Sequence, residues 1–385
     1  MHLPATSREL ELIMKVLLVA PNIRQNKMSY GGGIGGVSRN LNLFLDEFSK
    51  EGITIKPSYH SVRKKNELKI ISFPKRLIID CFVLIKNIKR YDPDIVHLFG
   101  QYRKALLREF AFCIICMLLE KKYIYHIRAG RFIEENKNFF HRILSTFILN
   151  RSAHILCEGE KYIEYLSESS ISNSTFFPNF VSKREIPPKR THWFHNPLKI
   201  LFVGYCFNDK GTYELVEAVR SLADTEQVIE LYLVGEEEEE FSKWLNNFLV
   251  GRNLTIHRLG QKEHDEVMSL MRECDLYCYP SKYSGEGHNN SINEAMMNEM
   301  IIVSSKAGFL KDILYNSAYL LEEVSKKEII KKISLAINDK EKSIRMAQFG
   351  RHKIIESYNS DVAFSILRNV YFKSINKNEA SYTAS

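Results

Sequence analysis

The sequence predicts an α/β protein made of two parallel-sheet domains that face each other across a central cleft. Strand-length apolar runs alternate with helical stretches through both halves of the chain, the pattern of crossover units. At 385 residues the chain is too long for one ordinary core and suits two of similar size. Between the halves lies a stretch with Pro187-Pro188, basic residues and Trp193, after which a strand pattern restarts at Leu198. The expected division is a first domain over residues 1–181, a linker over 182–197, a second domain over 198–360, and a closing helix and tail over 361–385.

The first strand, Lys15-Val16-Leu17-Leu18-Val19-Ala20, follows a second methionine, Met14, so translation can start there or at Met1. A polar loop then leads to Gly31-Gly32-Gly33-Ile34-Gly35-Gly36 and an amphipathic helix from Leu41 to Phe48. G-x-G-x-x-G is present, but too far behind the strand for a dinucleotide fingerprint, and no acid ends the second strand, Ile53 to Pro57. It reads as a glycine-rich loop whose backbone can approach a ligand. Arg63-Lys64-Lys65, Lys69 and Lys75-Arg76 precede an apolar helix of residues 77–88, which suits a solvated loop or contact with a membrane surface. Asp92-Pro93-Asp94 turns into a buried strand, and Tyr123 to Gly130 forms another that ends at the cleft, with His126 and Arg128 on one face. Ala153–Cys157 and the turn Phe177-Pro178-Asn179-Phe180-Val181 complete this half.

In the second half, Leu198 to Gly204 is a strand, and the turn Tyr205 to Gly211 enters a helix. Further strands run over residues 228–234, 254–259, 275–279 and 300–304. Residues 325–374 read as helices, followed by a frayed tail from Asn376 to Ser385.

Composition narrows the class. Apolar content of 45% with 26% charged residues is that of a globular protein. The longest apolar run, residues 110–119, is about half a membrane span, and no secretion signal is evident. Seven scattered cysteines suit a reducing cytoplasm; Cys113-x-x-Cys116 lacks a second pair and reads as core. The net charge of +8 divides unevenly, +13 over residues 1–197 (31 Lys and Arg against 18 acids) and −5 beyond (23 against 28). No RNA-binding motif or helix-turn-helix accompanies the basic half, so nucleic acid is the weakest candidate partner and an anionic membrane or phosphorylated acceptor a better one.

The densest chemistry lies in Tyr279-Pro280-Ser281-Lys282-Tyr283-Ser284-Gly285-Glu286-Gly287-His288-Asn289-Asn290-Ser291-Ile292-Asn293-Glu294-Ala295-Met296. A buried strand stops at a proline, a loop with two glycines follows, and a helix begins; amides at such a turn seat anions, phosphate above all. Carboxylates beside a phosphate would repel it, so Glu286 and Glu294 should meet hydroxyls of a ribose or a sugar ring. Ser291-x-x-Glu294 is also a capping box, in which Glu294 satisfies a backbone amide.

The two acids with seven residues between them, framed by Pro-Ser and Ala-Met, resemble the E-x7-E signature of retaining glycosyltransferases, in particular glycosyltransferase family 4. The resemblance implies the GT-B fold, two Rossmann-like domains, and transfer of a sugar from a UDP- or GDP-sugar without metal or other cofactor. It implies that Glu294 holds the ribose and Glu286 the sugar hydroxyls. Lys210 and the amides of Gly287, His288, Asn289, Asn290 and Ser291 would hold the diphosphate. Gly204 ends the strand before Lys210, Gly260 lies at the turn that seats the base, and Gly35 and Gly36 lie near donor and acceptor. The family's cleft-edge histidine corresponds to His126 or to Arg128. Its arginine after the strand glycine is absent: Tyr205 stands there, which leaves Arg128, Arg131 or Lys282 to supply the second cation. The acceptor expected from the basic first domain is a glycan or lipid-linked glycan at the inner membrane face, as in capsule or O-antigen assembly. A non-catalytic sugar-nucleotide-binding subunit and a GT-B epimerase are the alternatives.

Overall fold

A computed structural model describes residues 14–21, 44–61, 69–100, 105–128, 130–225 and 227–375. The glycine-rich loop with Gly35 and Gly36, the basic run Arg63-Lys64-Lys65 and the tail from Asn376 lie outside the described residues. Among the described residues twelve strands form two parallel sheets of six. The first contains β1 (Met14–Pro21), β2 (Ile53–His60), β3 (Ile95–Gly100), β4 (Lys122–Ile127), β5 (His154–Cys157) and β6 (Ser174–Phe176), in the order β2-β1-β3-β4-β5-β6. The second contains β7 (Leu198–Val203), β8 (Ile229–Val234), β9 (Leu254–Gly260), β10 (Leu276–Tyr279), β11 (Ile301–Ser304) and β12 (Tyr319–Leu320), in the order β12-β11-β10-β7-β8-β9. Strands covered on both faces need apolar side chains throughout, and β3 and β10 are buried at every position.

Strand order sets where a ligand can sit. In each sheet the chain starts in the middle and reverses direction once, between β1 and β3 and between β7 and β10, and such reversals open a crevice beyond the strands' carboxyl ends. The loops after β7 and β10 border that crevice in the second sheet. The carboxyl edges of the two sheets face each other, because Gly130 beyond β4 abuts Gly285 and Gly287 beyond β10.

The helix after β2 runs Lys69–Tyr91, so Lys75 and Arg76 lie within it, not ahead of an apolar helix of 77–88. Pro74 is the sixth residue of this helix and removes the amide that would otherwise bond the carbonyl four residues earlier. The last helix, Ser360–Ile375, returns to the first sheet and packs Leu367, Val370 and Tyr371 with Phe44, Phe48 and Phe180. It arrives beside the outgoing chain, where the Val181 amide donates to the Tyr358 carbonyl at 2.9 Å. Residues of the 182–197 stretch are pinned to the second sheet's base. Arg190 donates to the carbonyls of Met271, Cys274 and Asn298, Trp193 to that of Glu299, and Asp275 accepts from the backbone and ring of His195.

Burial drives His60, His97 and His288 down to about 3 and His126 well below the ordinary histidine value, so all four are neutral in the fold. Unfolded, each titrates near 6.5 (about, as in model peptides). Between that value and about 3 the unfolded chain binds a proton that the folded chain lacks, so stability is complete above the window and falls as pH drops through it. Burial raises the Glu158 carboxyl, an opposite contribution from one group. Urea unfolding at about pH 7.5 and about pH 5.5 should differ by roughly 1 kcal/mol for each of the four histidines, with the lower pH less stable. A flat profile would contradict their burial.

Candidate active site

The site is built where the loops after β7 and β10 meet. Beyond β7 the chain makes a single 3-10 turn, Asn208–Lys210, closed by Gly211 in the left-handed region at φ 67°. Glycine is required there twice over, since a Cβ would also lie 2.1 Å from the Pro280 carbonyl oxygen. The Lys282 amide donates to the Asp209 carbonyl at 2.7 Å, so the two loops are stitched backbone to backbone. This close approach delivers Lys210 to Glu286. The Lys210 ammonium donates to Glu286 Oε1 and, at 3.0 Å, to the Tyr279 hydroxyl; the same Oε1 accepts from Ser281 Oγ at 2.6 Å. The Glu286 carbonyl is in turn held by the Phe309 amide at 3.1 Å, beside Gly308 at φ 55°. Cation and carboxylate, expected to serve different parts of a donor, are thus paired with each other.

The helix after this loop is Asn290–Met297, and its cap is Asn289, whose side chain accepts from the Ser291 amide at 2.9 Å. Ser291 is the second helical residue, its hydroxyl accepting from Tyr277 at 2.7 Å. A cap needs non-helical backbone, which Asn289 has and Ser291 has not, so the capping-box reading of Ser291 and Glu294 is corrected. Glu294 is the fifth helical residue, beyond the reach of a first-turn role, and its Oε1 lies 3.7 Å from His264 Nδ1. The Asn290 side-chain oxygen is buried without a hydrogen-bond partner.

His288 faces the hinge. Its ring bonds Asn293 at 2.9 Å and meets Tyr358 edge to face, and its carbonyl accepts from Asn179. Asn293 donates back to the Asn179 carbonyl at 3.0 Å. The Pro-Asn turn at the end of the first lobe is thereby tied to the helix that carries Glu294. Gly204 and Gly235 let the ends of β7 and β8 close, since a Cβ on Gly235 would lie 1.9 Å from the Gly204 carbonyl oxygen. Gly260, at φ 62°, has open space beside it.

Among the cations considered, Lys282 pairs with Glu214 at 2.6 Å and Arg131 with Glu134 at 2.7 Å. Arg128 lies 3.7 Å from Glu158 with both side chains almost wholly enclosed. Tyr205 is half exposed, its ring 5.0 Å from that of Phe207. His126 is 0% exposed, both ring nitrogens lack partners, and it packs among His97, Phe99 and Phe177. Of the two cleft-edge alternatives, only Arg128 leaves the strand end toward the second lobe. Glu158, directly after β5, was not singled out by its sequence context, where Glu158-Gly159-Glu160 resembles an ordinary helix start; its carboxylate lies against Gly287 of the opposite lobe. Among the described residues no group of three or more His, Cys, Asp or Glu side chains is arranged to hold a metal.

Fold and crevice together define the class of two-lobed GT-B proteins. Anabaena HepE in complex with UDP and glucose superposes with a TM-score of 0.68 at 13% identity, over 92% of this chain and 98% of that one. An uncharacterized glycosyltransferase of Methanocaldococcus jannaschii is 24% identical over 300 residues, 76% of this chain and 78% of that protein. The capsular polysaccharide biosynthesis glycosyltransferase CapM of Staphylococcus aureus is 21% identical over 203 residues, 52% and 53% of the two chains. Residues 183–353 match the family of glycosyl transferases group 1. The chain thus carries a glycosyl transferases group 1 domain on the GT-B fold and is an enzyme of the hexosyltransferase type.

Removing one partner of the Lys210–Glu286 pair leaves a buried charge uncompensated. Lys210→Met should cost about 3 kcal/mol in urea unfolding, and Lys210→Met with Glu286→Gln should recover most of it. Additive losses in the double variant would show that the two groups do not interact.

Proposed function

We propose that the protein moves a sugar from a nucleoside diphosphate donor, UDP- or GDP-linked, to a glycan or lipid-linked acceptor with retention at the anomeric carbon. The observation that carries this reading is the convergence of Lys210, Glu286 and the amides before Asn290 on the crevice between β7 and β10, with Glu294 farther along the same helix. The diphosphate leaves with growing negative charge, which Lys210 and the loop amides stabilise electrostatically. Glu294 accepts hydrogen bonds from the ribose and Glu286 from the transferred sugar, once the donor's phosphate takes Lys210 from it. As the bond from the anomeric carbon to phosphate oxygen breaks, the acceptor oxygen bonds the same face and its proton passes to that phosphate oxygen. No protein nucleophile is needed. Because the lysine and amides balance the charge, transfer proceeds without a metal, and chelators should leave the rate unchanged.

Acceptor chemistry follows from the first lobe's surface. Ile78 and Phe82 on helix Lys69–Tyr91, and Phe139 and Phe140 on helix Phe139–Arg151, are all more than half exposed, with Lys75, Arg76 and Arg142 on the same helices. Apolar side chains among cations suit the interface of an anionic bilayer, where a lipid-linked acceptor of a surface polysaccharide would be presented. No described helix is long and apolar enough to cross a membrane. Flotation with anionic vesicles should carry the protein, and flotation indifferent to lipid charge and to salt would oppose the membrane part of the reading.

Glu294→Ala should reduce donor turnover by at least about a hundredfold while thermal unfolding stays within a few degrees of the parent. Unchanged turnover would refute the ribose role. Tyr205 in place of a cation favours one other reading, a subunit that binds sugar nucleotide without transferring it; donor binding with no nucleotide release across an acceptor panel would support that instead.

A further inference from the structure

The loop that the donor reading assigns to phosphate lies against an acidic side chain of the protein itself, Glu158. Glu158 projects from the end of β5, and its carboxylate lies against the backbone of Gly287, in the loop between Glu286 and the helix Asn290–Met297. Gly287 makes room for it: a Cβ there would stand 2.9 Å from Glu158 Oε1. A carboxylate beside backbone amides at a helix start is the arrangement by which such turns hold phosphate. Glu158 is 4% exposed, and Arg128 stands 3.7 Å from its Oε2.

Two features mark this occupant as displaceable. Oε1 is buried without a hydrogen-bond partner, so part of the carboxylate's desolvation is uncompensated. The same segment also holds the lobes shut. Tyr162 meets Phe309 edge to face at 5.0 Å, Lys161 pairs with Asp312 at 3.3 Å, and Gly159 and Gly130 lie so close to Phe309 and Gly285 that neither could carry a side chain. A donor enters only when these contacts part.

We propose that Glu158 is an internal anion that latches the two lobes together, and that the donor's diphosphate displaces it, taking its place beside the Gly287 backbone and the Arg128 guanidinium. This rests on the donor reading given above. Arg128 then supplies the cation that Tyr205 does not, and it does so only after Glu158 has been expelled. In the structure each cation has an acidic partner, Lys210 with Glu286 and Arg128 with Glu158. Loaded, both cations turn to phosphate.

The test is calorimetric titration of UDP and of GDP into the full chain and its Glu158→Gln variant, which keeps the side chain's shape and removes its charge. If the seat is vacated only a small fraction of the time, the variant binds the nucleotide about tenfold more tightly. Adding Arg128→Ala removes that gain. A buried group with a merely structural role would not tighten binding when altered. Should Glu158→Gln fail to fold, as judged by circular dichroism, Glu158→Ala is read by the same criterion. Nucleotide that binds the parent and binds the variants equally or more weakly overturns the latch while leaving the donor reading intact. Binding of neither nucleotide to any of these proteins sinks the donor reading and the latch with it.

Discussion

The pairing of Lys210 with Glu286 is the interaction on which the site depends, and it exists only because two backbones come unusually close. Gly211 lets the turn after β7 lie against Pro280, and the Asp209 carbonyl accepts the Lys282 amide, so neither loop can be repositioned alone. A lysine and a glutamate brought out of water in this way must satisfy each other when nothing else is present. The consequence is a cation whose position is fixed before any ligand binds. Electrostatic stabilisation of a leaving group gains most from charges already fixed in place.

The same logic extends across the cleft. Asn179 and Asn293 lock the hinge end of the first lobe to the helix bearing Glu294, while Glu158, beside Arg128, lies against the Gly287 backbone. The helix Ser360–Ile375 returns to the first sheet beside Val181, so the lobes are joined by two adjacent strands of chain instead of one.

Much of the fold was legible because both sheets are parallel and covered on both faces. Continuous apolar runs such as Ile95–Gly100 and Leu276–Tyr279 mark their strands to within a residue or two, and the glycine or proline after each marks its end. The helix at Lys69 was misjudged at its start, since Pro74 and the surrounding cations imitate a loop. The site was legible where it is local: the loop with Glu286 and the Lys210-Gly211 turn are each one short stretch of sequence. It was illegible where tertiary contacts choose among equals. Three consecutive polar residues could cap the helix, and Asn289 does so because Tyr277 engages Ser291. His126 and Arg128 share a strand face, but β4 ends at Ile127, so the histidine packs among core rings while the arginine, still enclosed, lies beside Glu158. Glu158 required knowing that β5 ends opposite His288, which no local pattern reveals.

The most direct measurement is a crystal structure of the chain soaked or grown with UDP or GDP. The account predicts a diphosphate bonded to Lys210 and to the amides that precede Asn290, with the ribose hydroxyls on Glu294. A nucleotide bound outside the crevice between β7 and β10, or a ribose with Glu294 turned away from it, would contradict it.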